Sequence, residues 1–281
     1  MKQAVKAVAY LDLLAFSHRV RENTKEALEI FTNYQTILES KIRDGKTHPP
    51  DSYQNENLKK LASERLIDSF NYFLPFSDSI FIVGEDPDLF LKQIGHFVLA
   101  CFIFDSADTT RTIFRGGISW GEVHGIDLIA IIEKTPREIK NLVGKAVVEA
   151  VYLESKVKGP RIIFDKTFYE SLKKENTGPY IREIEDKYEI LWPAFSFIPE
   201  NGVSELSKFD ELFIPAFKLW KTFADTEYSE HYFNFLELIF ISTLKLFESI
   251  NELKDCHKKL TDKISEYELN SEAKKLFGKY F

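Results

Sequence analysis

This sequence contains few cysteine and methionine residues, and it has no excess of positive charge. The chain of 281 residues has two cysteines and one methionine. Cys101 and Cys256 are far apart, and neither has a partner at the spacing of metal ligands. The sequence therefore disfavours a zinc site or a disulfide framework, and its use of cysteine fits a reducing cytoplasm.

The charge balance narrows the choice of partners. The formal net charge is −7 and the pI is near 5.5. A broad field that attracts the phosphates of DNA or RNA is not expected, so we predict no nucleic-acid partner. A local basic pocket for one triphosphate is compatible with this balance.

Long apolar runs are also absent. The segment Met1–Leu14 has only about eight consecutive, mostly apolar residues and contains Asp12, so it is too short for a membrane span. Glu237 and Lys245 interrupt the longest apolar stretch elsewhere, Phe233–Phe247. The sequence predicts no membrane segment and a cytoplasmic protein.

Apolar residues make up 44% of the chain, enough for one large domain or for one domain with an added module. Their periodicity first predicts a strand at Ala7–Leu14, helices at Glu22–Arg43 and Leu58–Phe70, and a hairpin at Phe73–Val83. A helix at Asp88–Phe104 and a strand pair or bent strand at Thr112–Val123 follow. The last predicted elements are a helix at Asn141–Lys158 and a strand at Arg161–Asp165 before a short helix. This alternation predicts helices packed on one sheet.

A change in composition suggests two units. Gly178-Pro179 and Trp192-Pro193 interrupt the pattern, which predicts a boundary near residue 185 between units 1–185 and 186–281. In the second unit, residues recur alternately three and four apart: Leu236, Ile239, Thr243, Leu246, Ile250, Leu253, His257, Leu260, Ile264 and Tyr267. Such a stripe is typical either of a helix or helical pair packed on its own core, or of a helix that binds a partner.

Two acidic residues stand in apolar surroundings. Asp12 interrupts the first predicted strand, where an ionised carboxylate is costly unless it is paired or binds a metal ion. Asp78 stands at the polar tip of the predicted hairpin. Two carboxylates at adjacent strand ends suit a two-metal phosphoryl-transfer site, because Mg²⁺ prefers oxygen ligands and keeps room for phosphates. Taken singly, each is more typical of a helix cap or a strand-end Asp, and it is their joint context that favours a metal site.

Two further segments carry basic residues beside glycines. Arg115 offers bidentate recognition of phosphate, and Gly116 and Gly117 let the backbone pass close to a ligand or a neighbouring helix. The plainer interpretation is a bulge, with Arg115 paired to an acidic side chain. Lys145 follows Gly144 at a helix start, within reach of a phosphate, although a solvated lysine is the simpler interpretation.

In this order the four segments resemble the class III nucleotidyl cyclases over about residues 5–170. The family has an Asp followed by Gly-Phe-Ser/Thr, a second metal-binding Asp in a hairpin, an Arg-x-Gly-Ile-x-x-Gly strand, and a helix of the type Gly-x-x-Val-Asn-x-Ala-x-Arg. The matching segments here are Asp12-Leu13-Leu14-Ala15-Phe16-Ser17, Ser77-Asp78-Ser79, Arg115-Gly116-Gly117-Ile118 through Gly121, and Gly144–Leu153.

The sequence also departs from the family pattern. Ala15 and Ser77 replace two usual glycines, and the Asn and Arg of the family's last helix fall on Val148 and Tyr152. The Lys and Asp that read adenine in mammalian-type adenylyl cyclases fall on Leu74 and Asn141. This combination is similar to the divergent pyrimidine cyclases of bacterial anti-phage (Pycsar) systems, which make cyclic UMP or cyclic CMP.

The resemblance implies an α+β fold. Its ferredoxin-like core would have an antiparallel-dominated sheet with helices on one face, followed by a mainly helical C-terminal region. It further implies two Mg²⁺ or Mn²⁺ ions per site, held by Asp12 and Asp78 with Leu13 beside them. The reaction would turn a nucleoside triphosphate, UTP or CTP in preference, into a 3′,5′-cyclic nucleotide that a responsive effector reads.

Further site residues are implied by the same resemblance. Phe16 and Ser17 belong to the turn that cradles phosphates, and Arg115 would hold the β and γ phosphates, with Lys145 as a second candidate. Leu74 and Asn141 would lie at the base. The family's sites lie between two catalytic domains, which implies a homodimer in which Tyr152 of one subunit faces the metal residues of the other.

Two rival functions remain open. Val148 and Tyr152 are compatible with a degenerate cyclase-like binding or signalling domain. Paired acids also occur in other palm-type nucleotidyltransferases such as diguanylate cyclases, although the Gly-Gly-Asp/Glu-Glu-Phe hairpin of that group is absent here.

Overall fold

The computed structural model describes residues 5–47, 59, 70–104, 111–173, 177–197, 206, 208–249 and 253–266. Its strands are β1 Val5–Leu13, β2 Tyr72–Phe76, β3 Ser79–Gly84, β4 Phe114–Glu122, β5 His124–Ile132, β6 Thr135–Val143, β7 Ile162–Phe164, β8 Ile181–Ile184 and β9 Lys187–Ile190. Its helices are α1 Phe16–Glu22, α2 Thr24–Thr47, α3 Pro87–Phe104, α4 Lys145–Glu154, α5 Lys166–Ser171, α6 Lys208–Thr222, α7 Ser229–Ser249 and α8 Leu253–Glu266. Almost all of the helix predicted at Leu58–Phe70 lies outside the described residues.

The main sheet has the order β2-β3-β1-β4-β7-β9-β8, and β5 and β6 form a separate two-stranded sheet. Strand β1 lies between β3 and β4 and is antiparallel to both. Helices α1 and α2 connect β1 to the β2–β3 hairpin, and α3 connects β3 to β4, which is the split β-α-β arrangement of ferredoxin-like folds. The predicted α+β class with an antiparallel-dominated sheet is confirmed; the parallel pair is β4 with β7.

Helices pack on both faces of the sheet, rather than on one face as predicted. Ala7, Ala9 and Leu11 of β1 belong to the large core that includes α3. Val8, the residue between Ala7 and Ala9, belongs to a smaller cluster with Ala146 and Ala150 of α4. Because successive side chains of a strand point to opposite faces, α3 and α4 cover opposite sides of β1.

The close packing of α4 depends on a glycine of β4. A Cβ atom at Gly117 would lie 2.2 Å from the carbonyl oxygen of Ala150 and 2.7 Å from Cβ of Leu153. The predicted role of the glycine pair in admitting a neighbouring helix is therefore confirmed at Gly117.

The segment before α4 differs from the prediction. The predicted helix Asn141–Lys158 is wrong at its start, because Asn141 lies in strand β6 and the helix begins at Lys145. Gly144, at φ 156°, makes the change from strand to helix, and a Cβ there would lie 2.2 Å from the carbonyl oxygen of Glu122. The hairpin formed by β5 and most of β6 was not predicted from the sequence.

The C-terminal stripe forms two helices whose apolar residues face the protein's own core. Leu236, Ile239, Thr243 and Leu246 of α7 are buried, as are Leu260 and Ile264 of α8. This agrees with the helical pair packed on a core rather than with a partner-binding helix; Ile250 and Tyr267 lie outside the described residues. The predicted boundary at residue 185 falls in the turn between β8 and β9, two strands that pair with each other.

Helix α3 is a core element. It is long and apolar enough to cross a membrane by length and composition, but 67% of it is buried inside the protein. Among the described residues it is the one helix that passes this test.

Candidate active site

Backbone pairing brings the two predicted carboxylates to the same edge of the sheet. Asp12 stands opposite Ser79 of β3 and Arg115 of β4. The N–H of Leu13 donates to the carbonyl oxygen of Asp78 at 2.9 Å, which fixes the β2–β3 turn beside the end of β1. The hydroxyl of Ser79 donates to Asp12 Oδ1 at 3.0 Å. Asp12 and Asp78 thus share one site.

Arg115 pairs with two carboxylates in this site. Its Nε and Nη2 donate to Asp12 Oδ2 at 3.2 and 3.1 Å. Its Nε also lies 2.6 Å from Oε1 of Glu154, the last residue of α4. The structure therefore places Arg115 on acidic side chains, and it would contact a phosphate only by exchanging one of these partners.

The site carries more negative than positive charge. Burial raises the pKa of Asp12, and the charge of Asp78 raises it further, against the opposing effect of Arg115. Burial likewise raises the pKa of Glu154, with a contribution from Asp12. One arginine thus does not compensate three neighbouring carboxylates, so an added cation is favoured here.

The donor set fits a divalent cation. Carboxylate oxygens are the ligands that Mg²⁺ and Mn²⁺ prefer, and Leu13, which lines the same cleft, offers a backbone carbonyl. No group of three or more His, Cys, Asp or Glu side chains arranged to hold an ion occurs in the part of the chain that the structure describes. Phosphate oxygens or water would have to complete the coordination.

The turn after β1 has an unusual backbone. Ala15 adopts φ 59° and ψ 21° at the start of α1, and Ser77, before Asp78, adopts φ 56°. This left-handed region favours glycine. The two positions where the family commonly has glycine therefore keep a glycine-like conformation here with alanine and serine.

These elements enclose a cleft of about 130 Å³. Its lining residues are Asp12, Leu13, Leu14, Ala15, Phe16, Ser17, Asp78, Arg115, Tyr228 and His231. Ligand pockets typically measure about 300–1,000 Å³, so this cleft has room for only part of a nucleoside triphosphate.

Six of the predicted site residues line this cleft and four do not. Asp12, Leu13, Phe16, Ser17, Asp78 and Arg115 come together in it. Leu74 packs against the smaller core cluster of α4, and Asn141 and Lys145 are exposed on β6 and α4. Tyr152 is 51% exposed on α4, with Lys156 Nζ 4.5 Å from its ring centroid.

Three residues at the site were not predicted from the sequence. Glu154 falls within the α4 motif but was not considered a partner of Arg115. Tyr228 and His231 come from the C-terminal region, and no local pattern signals that the start of α7 lines the same cleft as the end of β1. Only the tertiary fold brings these two residues to Asp12.

Comparisons with known proteins find similarity in solved structures alone. No protein-family model matches the chain, and no curated protein matches it. The chain is similar to the guanylyl cyclase domain of the RhoGC fusion protein from the fungus Blastocladiella emersonii, with 16% identity over 68% of this chain and 98% of that chain and a TM-score of 0.46. It is also similar to the guanylate cyclase domain of RhGC from Catenaria anguillulae in complex with GTP, with 15% identity, coverage of 66% and 95%, and a TM-score of 0.45. For the adenylyl cyclase CyaB from P. aeruginosa the identity is 12%, the coverage 68% and 96%, and the TM-score 0.44.

Proposed function

We propose that the protein is a nucleotide cyclase, which converts a nucleoside triphosphate into a 3′,5′-cyclic nucleotide and pyrophosphate. The main observation in support of this proposal is that Asp12 and Asp78 line the same cleft beside the end of β1, in a site with surplus negative charge. In the reaction the ribose 3′ oxygen bonds to the α-phosphorus, the bond from that phosphorus to the pyrophosphate oxygen breaks, and the 3′-OH proton passes to solvent water.

The residues of the cleft divide into two roles. Asp12 and Asp78, with the carbonyl of Leu13, would hold two Mg²⁺ or Mn²⁺ ions. When bound, these ions would activate the 3′-OH and neutralise charge on the departing pyrophosphate. Backbone N–H groups of the Phe16–Ser17 turn would bind phosphate oxygens.

Arg115 has a position consistent with a phosphate contact. It lies in the same cleft and is held by Asp12 and Glu154. Divalent ions that bind Asp12 would release the guanidinium from that carboxylate. We infer that Arg115 then turns to the β and γ phosphates, for which its bidentate geometry is suited.

The small cleft favours a site completed by a second copy of the chain. Its volume of about 130 Å³ accommodates only part of the nucleotide. Leu74, Asn141, Lys145 and Tyr152 lie outside it, so contacts from these residues to the ribose and base would come from a partner subunit. An amide such as Asn141 can donate to and accept from a pyrimidine edge, which supports UTP or CTP over purine substrates.

The β5–β6 hairpin supplies a surface for such a homodimer. Its apolar side chains include Ile129 and Ile131, which are 76% and 68% exposed. Val148 and Tyr152 of α4 add to the exposed apolar area. Exposed apolar patches of this kind are typical of protein interfaces. We infer that two chains pair through these elements.

We further infer that a cytoplasmic effector of anti-phage signalling binds the cyclic product.

A chromatographic product assay tests the proposal. Purified protein with Mn²⁺ is incubated with ATP, GTP, CTP and UTP in turn, and cyclic mononucleotide and pyrophosphate are quantified. We expect cyclic UMP or cyclic CMP to exceed the purine products. Cyclic AMP or cyclic GMP as the main product would contradict the pyrimidine preference alone. Dinucleotide products, or none from any nucleotide, would contradict the cyclase proposal and favour one of the two rival functions.

A further inference from the structure

The start of helix α7 forms one wall of the candidate active site. Tyr228 directly precedes α7, and His231 lies in its first turn. Both line the cleft that contains Asp12, Asp78 and Arg115. The ferredoxin-like part of the chain therefore does not form this cleft alone, because the C-terminal helical region contributes part of the wall.

A backbone N–H in the loop between α4 and β7 holds the ring of His231 in place. The N–H of Gly159 donates to His231 Nδ1 at 2.9 Å. Gly159 adopts φ 92°, and a Cβ there would lie 2.9 Å from the carbonyl oxygen of His231 and 2.8 Å from Cβ of Asn234. This approach is so close that glycine is required at position 159, and the hydrogen bond from its N–H to Nδ1 holds the ring against the loop.

The hydrogen bond also determines which ring nitrogen carries the proton. A nitrogen that accepts from an N–H has its lone pair in the bond, so the neutral ring carries its hydrogen on Nε2. Burial lowers the pKa of His231, and Arg115 and Lys158 lower it further, so the neutral form is favoured. Within the described part of the chain, no hydrogen bond to His231 Nε2 is formed.

We propose that His231 is a substrate-contacting residue, whose Nε2–H donates to a polyphosphate oxygen of the nucleotide bound at Asp12 and Asp78. This inference rests on the proposed function, since it takes a nucleoside triphosphate as the ligand. The chemistry is complementary, because a fixed neutral donor stands beside the guanidinium of Arg115 in a cleft with room for phosphates. The C-terminal region thereby becomes part of the substrate site.

Two substitutions separate the contact from the structural role of the ring. His231→Asn keeps an oxygen near the position of Nδ1, which can still accept from Gly159, but it removes the Nε2 donor. His231→Gln places an N–H₂ group near the position of Nε2 and removes the acceptor for Gly159. His124→Asn serves as the matched control, because His124 pairs with Glu122 at 2.7 Å and does not line the cleft.

Calorimetric binding of inorganic tripolyphosphate with Mn²⁺ tests the contact, with the thermal midpoint as the second measurement. We expect His231→Asn to keep the wild-type midpoint and to bind about ten- to a hundredfold more weakly, as loss of a hydrogen bond to a charged group implies. His231→Gln should retain binding within about threefold but unfold at a lower temperature. His124→Asn should bind as the wild type does.

The outcomes distinguish this contact from the cyclase proposal. Wild-type affinity in His231→Asn, or no binding of tripolyphosphate by the wild type, would overturn the contact. If the wild type binds tripolyphosphate through His231 but forms no cyclic nucleotide from any of the four triphosphates, the contact stands and the cyclase proposal fails. If the wild type forms cyclic nucleotide and His231→Asn has unchanged KM and affinity, the contact alone is refuted.

Discussion

At the scale of single residues, the turn before Asp78 carries a conformational cost. Ser77 has φ 56° and is exposed, so its side chain contributes little packing. A residue with a Cβ loses about 1–2 kcal/mol in the left-handed region, and glycine avoids this cost but loses more entropy on folding. We expect Ser77→Gly to raise the free energy of unfolding by about 0.5–1 kcal/mol.

Urea unfolding of Ser77→Gly and Ser77→Ala measures this effect. Alanine keeps the Cβ atom and should leave the free energy of unfolding nearly unchanged. A gain in the alanine variant, or a loss in the glycine variant, would show that the left-handed backbone does not determine the stability of the turn.

The lowered pKa of His231 predicts that the stability of the protein depends on pH. Its pKa is lowered in the folded protein from 6.5 by burial, by Arg115 and by Lys158, while Glu227 and Glu230 act in the opposite direction. Because the unfolded chain binds the proton first, stability from this group is present above pH about 6.5 and is lost as the pH falls towards the lowered pKa.

Thermal unfolding between pH 7.5 and about 5 checks this dependence. We expect the midpoint of the wild type to fall relative to that of His231→Asn as the pH decreases, since protonation also removes the acceptor for Gly159. A difference in midpoint that stays constant over this range would contradict the lowered pKa.

At the scale of elements, the β5–β6 hairpin is the feature most directly linked to the proposed homodimer. Ile129 and Ile131 lie two residues apart on β5, so they share a face, and both are more than two-thirds exposed. We expect the double substitution of these residues by serine to convert the proposed dimer at micromolar concentration into a folded monomer.

Sedimentation velocity measures this change. Leu28→Ser provides the control, because Leu28 is 60% exposed on α2, outside the hairpin and α4. A wild-type protein that is monomeric, or a serine variant that remains dimeric, would refute the hairpin as the interface.

The elements also show what the sequence can predict. The apolar run of β1 and the polar tip of the β2–β3 hairpin were recognisable, and with them the pairing of Asp12 and Asp78. The β5–β6 hairpin was not, because the apolar residues of β5 form a continuous run from Leu128 to Ile132 and do not alternate with polar ones. The helix predicted from Asn141 began too early, because apolar residues continue from β6 into α4 and only Gly144 separates them.

At the scale of the whole molecule, the C-terminal helices share the core of the sheet. The ring of Phe235 on α7 lies 4.9 Å from that of Phe102 on α3 and 5.5 Å from that of Trp192. Arg161, just before β7, pairs with Glu237 of α7 and with the fully buried Glu189 of β9. Tyr228 and His231 could not be assigned to the site from the sequence, because this packing is long-range.

Shared packing predicts one cooperative unfolding transition for the full chain. Residues 1–185 lack α7, whose Phe235 packs on Phe102, and they also lack Glu189 and Glu237, which both pair with Arg161. This part of the chain should therefore not fold alone. Differential scanning calorimetry of the full chain, together with circular dichroism of residues 1–185, tests this. Two separate transitions, or a folded fragment, would instead support two independent units divided near residue 185.

The proposed cyclase activity depends above all on the joint role of Asp12 and Asp78. The most direct measurement is cyclic nucleotide formation with Mn²⁺ by the wild type, Asp12→Asn and Asp78→Asn, with thermal midpoints as the control for folding. Each substitution removes a charged cation ligand from a site with surplus negative charge, so we expect product to fall at least about a hundredfold while the midpoint is kept or raised. Product at the wild-type rate from either folded variant would contradict the assignment of the active site.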